Sequence, residues 1–203
     1  MLELRKAVPA DFPEVWDFYG RLIDGMAGAQ FHPGWERDVY PSEEFVRSSL
    51  ERGELFTAWL EGVMAGAMVI NHACTPGYET VAWAVDAAPE EVSVIHALGI
   101  SPDFQGRGVA GELVRGAVRL AREAGQKAIR LDVLNGNLPA QKLYAAAGFQ
   151  YRGSVRLFYE DTGMTDFLLY ELPLTQIGDM RYEIGDRRYN RILAERWIKT
   201  WQP

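Results

Sequence analysis

Cysteine is nearly absent. Cys74 is the only one in 203 residues, which excludes an intramolecular disulfide framework and a cysteine-built zinc cluster and fits a reducing compartment. Histidine is scarce as well: His32, His72 and His96 are widely spaced and form no metal-ligand pattern, so no metal is expected. No stretch approaches the roughly 20 uninterrupted apolar residues of a membrane span. Glu3 also stands where a signal peptide would begin its apolar run. The expectation is a cytoplasmic protein with no membrane partner. Positive charge is in deficit, with a formal net charge of −7, which argues against nucleic acid as the main partner.

What remains is an ordinary globular composition, 48% hydrophobic and 24% charged, far from the apolar-poor range of disordered chains. The length favours one domain with a short appendage. Charge marks the division. Residues 174–203 hold six Lys or Arg against four Asp or Glu, whereas residues 1–173 carry −9. Within the tail, Tyr189, Ile192, Leu193, Ile198 and Trp201 form a partial helical stripe. The predicted organisation is a domain over 1–173 and a partly helical extension over 174–203, docked on the domain or on a second copy in a homodimer.

Leu2 to Arg5 alternates apolar with charged residues as a half-buried strand does. After Asp11, the residues Phe12, Val15, Trp16, Tyr19, Leu22 and Ile23 recur at helical spacing. Gly25 to Pro41, rich in glycine, proline and aromatics, reads as an ordered loop. Ser42 is a plausible N-cap for a second helix ending near Gly53. Two β-like stretches, Glu54 to Trp59 and Val63 to Asn71, flank the turn residues Glu61 and Gly62. A polar insertion then leads to a strand from Val92 to Ile100, a helix from Gly108 to Ala124 and a strand from Ala128 to Val133. A helix over Leu138 to Ala147 and two closing strands complete the order. The class is mixed α and β, with one strand-helix-strand unit in the middle.

Gly106-Arg107-Gly108-Val109-Ala110-Gly111 lies between that strand and helix, where consecutive backbone N–H groups at a positive helix end bind phosphate. Taken literally it matches G-x-G-x-x-G, with Asp132 placed about 20 residues on as a ribose-binding acid would be. That reading implies an NAD(P)-dependent oxidoreductase. Against it, Ser101 to Gln105 separates strand from glycines, and the repeated strand-helix units of a doubly wound sheet are missing.

In a second frame, Gln105-Gly106-Arg107-Gly108-Val109-Ala110 matches Q/R-x-x-G-x-G/A, preceded by Leu98-Gly99-Ile100-Ser101-Pro102. Independently, Asn137-Leu138-Pro139-Ala140-Gln141-Lys142-Leu143-Tyr144 followed by Gly148-Phe149 has the spacing N-x-x-A-x-x-L-Y-x-x-x-G-F. The two motifs together, over about Leu2 to Leu172, resemble the GNAT family of N-acetyltransferases. The resemblance implies a central, mostly antiparallel sheet with splayed central strands and flanking helices, and acetyl-CoA as cosubstrate. It places the pantetheine arm along the strand ending Leu98-Gly99-Ile100 and the pyrophosphate on amides of Gly106 to Gly111, with Arg107 as added charge. Asn137 would reach the coenzyme and Tyr144 would stand beside the thioester sulfur. Ala110 replaces the second glycine, a change the family tolerates.

Acyl transfer to an amine needs the neutral nucleophile, and an alkylamine of pKa about 10.4 is only about one part in 2,500 unprotonated at pH 7. A base helps, as does an acid for the departing thiolate. Tyr144 fits the acid. His96 is the preferred base, since its unperturbed pKa of about 6.5 leaves it able to accept a proton. By the period of two, Val94, His96 and Leu98 are expected on one face of their strand. His96-Ala97-Leu98 looks like the H-A-L stretch of the arylalkylamine N-acetyltransferase branch, where a strand histidine is assigned this role; Val94 stands where that branch has another histidine. Glu91 is the next candidate base. Asp132 reads as a surface or paired carboxylate. Trp35, Tyr40, Trp83 and Phe158 are candidates to line an acceptor pocket, and Asp86, Glu90, Glu91, Glu160 and Asp161 to attract a cationic acceptor. The expected reaction is acetylation of a primary amine of a small molecule by direct attack in a ternary complex. The competing readings are a CoA-binding module without turnover and the oxidoreductase.

Overall fold

Strand β1 (Leu2–Lys6) leads through a single turn at Pro9–Asp11 into helix α1 (Phe12–Gly25). The Asp11 carboxylate accepts a hydrogen bond from the Val8 N–H at 2.9 Å, and Pro13 suits the first turn because its missing N–H would have no helical partner there. Helix α2 (Glu43–Glu51) starts at the predicted cap: Ser42 Oγ accepts from the Phe45 N–H at 3.2 Å. The hairpin of β2 (Leu55–Leu60) and β3 (Val63–Asn71) closes through Glu61 and Gly62, both at positive φ. Two consecutive left-handed residues match the twist of paired strands. Then follow β4 (Val92–Ile100), α3 (Val109–Glu123), β5 (Ala128–Leu134), α4 (Leu138–Ala146), β6 (Gln150–Tyr159) and β7 (Gly163–Pro173). The computed structural model describes residues 2–26, 33–160 and 162–174; the predicted tail stripe from Tyr189 to Trp201, like His32 and Asp161, lies outside them.

All seven strands form one sheet in the order β1-β2-β3-β4-β5-β7-β6. Every neighbouring pair is antiparallel except β4 and β5. One parallel pair in an otherwise antiparallel sheet is incompatible with a doubly wound dinucleotide-binding fold, so the oxidoreductase reading falls on topology.

Helices α3 and α4 cover one face, where Val109, Leu113, Ala117 and Ala121 pack with Met68, Ile95, Ile129 and Leu131. On the other face α1 and α2 cover the β2–β4 half through Val15, Phe18, Tyr19, Leu22, Val46 and Leu50. Each such aliphatic or aromatic side chain contributes about 1.5–3 kcal/mol on burial. No helix among the described residues covers the β4–β7 half of that face. The segment 72–91 does so instead, packing Tyr78, Val81, Trp83 and Val85 over Val92, Val94, Ala128 and Leu169. The sequence reads this segment as a polar insertion, yet Tyr78 is core and Val81, Trp83, Val85 and Ala87 pack half-buried against it.

A buried ion pair fastens the segment. Glu171, fully buried on β7, accepts from Arg130 Nε at 3.1 Å and from the Ala84 N–H at 2.8 Å, and Arg152 Nε lies 3.2 Å from it. Arg130 in turn donates to the Val85 carbonyl at 2.7 Å and lies 4.3 Å from the centre of the Trp83 ring.

Candidate active site

The parallel ladder between β4 and β5 is short. It joins Val92 to Ala128, Ser93 to Ile129 and Val94 to Arg130, and no pair follows. Beyond it β4 stays paired to β3 through Gly99 and Ile100, and β5 stays paired to β7 as far as Leu134. The facing edges of Ile95–Ile100 and Leu131–Leu134 therefore splay inside the sheet. Backbone donors and acceptors along such an opening need partners, and an extended ligand arm lying along Leu98, Gly99 and Ile100 would supply them.

A bulge shapes the β4 side. On β3, Ala67 pairs with Gly99 and Val69 with His96, so Met68 faces both Ala97 and Leu98. Ala97 takes a φ of 47°, and the Tyr19 hydroxyl donates to its carbonyl oxygen at 2.9 Å. The bulge corrects the expectation that Val94, His96 and Leu98 share a face. Leu98 turns to the α3 side with Ile95 and Ile100, while Ala97 packs among the α1 residues. Gly99 also faces α1, where an added Cβ would run into Leu22 near Trp35 and Tyr19.

The strand leads through the turn Pro102–Phe104 into the glycine loop. Gly106 and Gly108 have φ of 73° and 80°, a region costly for residues with a Cβ. Gln105, Gly106, Arg107 and Gly108 are exposed, and α3 begins at Val109. The Glu112 N–H makes the first helical bond, to the Gly108 carbonyl, which leaves the amides of Val109, Ala110 and Gly111 at the open helix end. This cradle fits a pyrophosphate. Arg107 lies over the Phe104 ring and 3.6 Å from Glu61.

Asn137 caps α4, with its Oδ1 accepting from the Ala140 N–H at 3.1 Å. That is a physical reason for the N-x-x-A spacing. Tyr144, one and a half turns into α4, is buried with its ring edge-on to Phe149 at 5.5 Å. Burial, and then the charge of Asp132, push its phenol above the ordinary range, so it stays protonated at neutral pH.

His96 Nε2 is 3.0 Å from Asn71 Oδ1, which also accepts from the Ala73 N–H at 2.9 Å; Asn71 Nδ2 donates to Glu54 at 3.3 Å. Burial lowers the His96 pKa, while a hydrogen bond with the Ala73 backbone and the charge of Glu54 pull the other way. The ring is neutral at pH 7 as a result.

Asp132 is half-buried. On β5 it lies on the face covered by segment 72–91. Its Oδ2 accepts from the Tyr78 hydroxyl at 2.9 Å and from the Thr75 hydroxyl at 3.5 Å. Burial raises its pKa and the two hydroxyls lower it. His96 and Asp132 each stand two residues past the last ladder pair, Val94 and Arg130. The splay thus carries Asp132 on one arm and His96 on the other, with Tyr144 within electrostatic reach of Asp132.

Other candidates lie elsewhere. Glu91 accepts from Lys127 at 2.7 Å and from the Ala88 N–H at 3.0 Å, at the paired end of β4, and Glu90 is its neighbour. Asp86 and Glu160 are exposed. Trp35 and Tyr40 join the α1 aromatic cluster, Trp83 covers Arg130, and Phe158 is 66% exposed on edge strand β6. The sequence reading missed Asp132 with Tyr78 and Thr75; the inward alternation of Leu131 and Val133 in β5 was the available signal. Among the described residues no three His, Cys, Asp or Glu side chains gather as a metal-ligand set.

A sheet with one splayed parallel pair, a glycine-rich helix entry and a tyrosine on the following helix defines an acyl-CoA-dependent acyltransferase fold. The profile of the Acetyltransferase (GNAT) family matches residues 16–149, and the chain belongs to that family. It is 26% identical over 110 residues to the uncharacterized N-acetyltransferase YvbK of Bacillus subtilis, covering 54% of this chain and 61% of the relative. It is 26% identical over 157 residues to the streptothricin acetyltransferase of Streptomyces lavendulae, covering 77% and 68%. The chain thus spans about two thirds or less of the length of these relatives. The fold is similar to that of YncA from Salmonella typhimurium, solved with acetyl-CoA, at a TM-score of 0.62 and 15% identity over 86% of this chain and 94% of that one.

Proposed function

We propose that the protein transfers the acetyl group of acetyl-CoA to a primary amine of a small molecule by direct attack in a ternary complex. The observation that carries this reading is the splay of β4 from β5 beyond Val94 and Arg130, with the open end of α3 beyond one arm and Tyr144 near the other. Gln105, Gly106, Arg107, Gly108, Val109, Ala110 and Gly111 hold the pyrophosphate. Leu98, Gly99 and Ile100 hold the pantetheine arm, and Asn137 reaches the pantetheine or the pyrophosphate region.

His96 acts as the base. Burial keeps its ring neutral, so it takes the proton that an ammonium must lose before it attacks. Tyr144 acts as the acid, and its protonated phenol in a dry setting is suited to protonating a departing thiolate of pKa about 8.5. The amine and the thioester carbonyl need only be held together, a gain in effective concentration that supplies much of the rate.

The protein works in the cytoplasm as a homodimer. Among the described residues no helix is long and apolar enough to cross a membrane, and the exposed Tyr151, Phe158 and Met164 on the β6–β7 hairpin offer an apolar contact surface. The division into a domain over 1–173 and an extension over 174–203 follows from charge.

The test is release of CoA thiol from acetyl-CoA with polyamines, amino acids, aminoglycosides, arylalkylamines and peptide N-termini as acceptors. Thiol release that matches acetylated small amine, mole for mole, is the expected result. Acetylation of peptides alone would overturn the acceptor class, and acetyl-CoA binding without release would leave a binding module.

A further inference from the structure

His96 belongs to a hydrogen-bonded network in which each donor and acceptor is fixed by its chemistry. The Ala73 N–H, which can only donate, meets Asn71 Oδ1 at 2.9 Å. The Glu54 carboxylate, which accepts when ionised, takes a bond from Asn71 Nδ2 at 3.3 Å, and Arg52 Nε donates to its other oxygen at 3.0 Å. These partners fix which end of the Asn71 amide is oxygen. His96 Nε2 therefore stands 3.0 Å from an acceptor, and that contact is a hydrogen bond only if Nε2 carries a proton. A neutral imidazole has one N–H, and burial holds this ring neutral at pH 7. The lone pair is then on Nδ1. The members come from three places: Glu54 just before β2, Asn71 at the end of β3, and His96 in β4 beside the bulge.

We propose that Asn71 is a positioning residue for the acetyl transfer: its amide, oriented by Glu54 and the Ala73 N–H, locks His96 as the Nε2–H tautomer, so that Nδ1 takes the proton of the acceptor amine. This rests on the reading of His96 as base and deepens it. The ammonium gives its proton to the Nδ1 lone pair, and the freed amine attacks the thioester carbonyl. The new C–N bond replaces the C–S bond, the thiolate takes its proton from Tyr144, and the imidazolium later returns its own to water. Throughout, the Nε2–H stays on Asn71 and holds the ring in place. The imidazolium is favoured by the charge of Glu54 and by the hydrogen bond with the Ala73 backbone, and opposed by burial. Without Asn71 the single proton of the neutral ring is divided between the two nitrogens. A ring with its proton on Nδ1 presents a donor where the amine needs an acceptor.

The experiment is a proton–nitrogen correlation spectrum of the full chain, isotope-labelled at its histidine nitrogens and held at about pH 8, where the ring is neutral. It is recorded for the unaltered protein, Asn71→Ala and Glu54→Gln, with His96→Gln identifying the resonances. The unaltered protein is expected to show a proton on Nε2 and a bare Nδ1. Asn71→Ala should divide the proton between the two nitrogens and lower kcat at least about ten-fold, with the KM for acetyl-CoA unchanged. Glu54→Gln keeps an acceptor for Asn71 Nδ2, so it should keep the tautomer. It removes a charge that raises the His96 pKa, so it should move the acidic limb of the rate profile to lower pH. A proton on Nδ1 in the unaltered protein overturns the proposal, even if Asn71→Ala does not fold. A folded Asn71→Ala with unchanged tautomer or unchanged kcat overturns it as well. If Nε2 carries the proton but a folded His96→Gln keeps its rate and pH profile, the base reading fails and the tautomer assignment stands alone.

Discussion

The Tyr19 hydroxyl on α1 donates to the carbonyl oxygen of Ala97 on β4, buried and 2.9 Å away, at the residue whose φ of 47° makes the bulge. The bulge interrupts the alternation of the strand after His96 and sends Leu98 to the opposite side. Without it the residues that follow would exchange faces, because a one-residue shift inverts every later side chain. Tyr19→Phe leaves that buried carbonyl without its partner. The expected cost is about 1–3 kcal/mol, read from denaturant unfolding, together with weaker acetyl-CoA binding by calorimetry.

Gly108 begins α3 at a φ of 80°, and open space surrounds the place a Cβ would take. Strain is therefore the whole effect of a substitution there. Gly108→Val is expected to weaken acetyl-CoA binding by about ten-fold or more as the first-turn amides are re-aimed, with the rest of the sheet intact by circular dichroism.

Much of this was readable in the residues. Ser42 caps α2, Glu61-Gly62 turns the first hairpin, and Gly106 and Gly108 take the left-handed angles a phosphate loop requires, because each of these signals is local. The bulge at Ala97 has no such mark, since neither glycine nor proline stands at it; its carbonyl is held by Tyr19 of α1, 78 residues away in the chain. The segment 72–91 reads as a polar insertion because its apolar residues are spread among Thr, Glu and Pro. Its burial depends on Glu171, some 80 residues further along the chain. Alternation alone cannot tell which face a remote segment covers, so the contact of Tyr78 with Asp132 is not legible in the sequence.

Glu171 and Arg130 are both buried, so removing the Glu171 carboxylate leaves the Arg130 guanidinium without its counter-charge. Glu171→Ala is expected to destabilise the protein by about 3–5 kcal/mol and to open segment 72–91, seen as faster amide exchange at Ala84. Amide exchange at α1 should change less than that over 72–91.

Burial holds the His96 pKa below its ordinary value of about 6.5. A group whose pKa falls on folding contributes stability above its unfolded pKa, and loses it as pH drops through the folded value. Acidification below about pH 6.5 is therefore expected to destabilise the unaltered protein more than His96→Gln. The same substitution should lower kcat and remove the acidic limb of the rate profile. A folded His96→Gln with unchanged rate and profile contradicts the base assignment.

Asp132 behaves in the opposite sense. Burial raises its pKa, so its contribution to stability is full below the unfolded carboxyl pKa and is lost as pH rises through the folded value. Asp132→Asn is therefore expected to be more stable than the unaltered protein at pH 7, with the difference shrinking in acid, as chemical denaturation at the two pH values will show.

The most direct measurement is the maximal rate of amine-dependent CoA thiol release by Tyr144→Phe, with acetyl-CoA binding determined alongside. Tyr144 packs edge-on against Phe149, so phenylalanine preserves the packing and removes only the proton donor. The expected result is a fall in kcat of about 10²-fold or more with acetyl-CoA affinity unchanged. A cooperatively folded Tyr144→Phe that releases thiol at the unaltered rate would contradict the account.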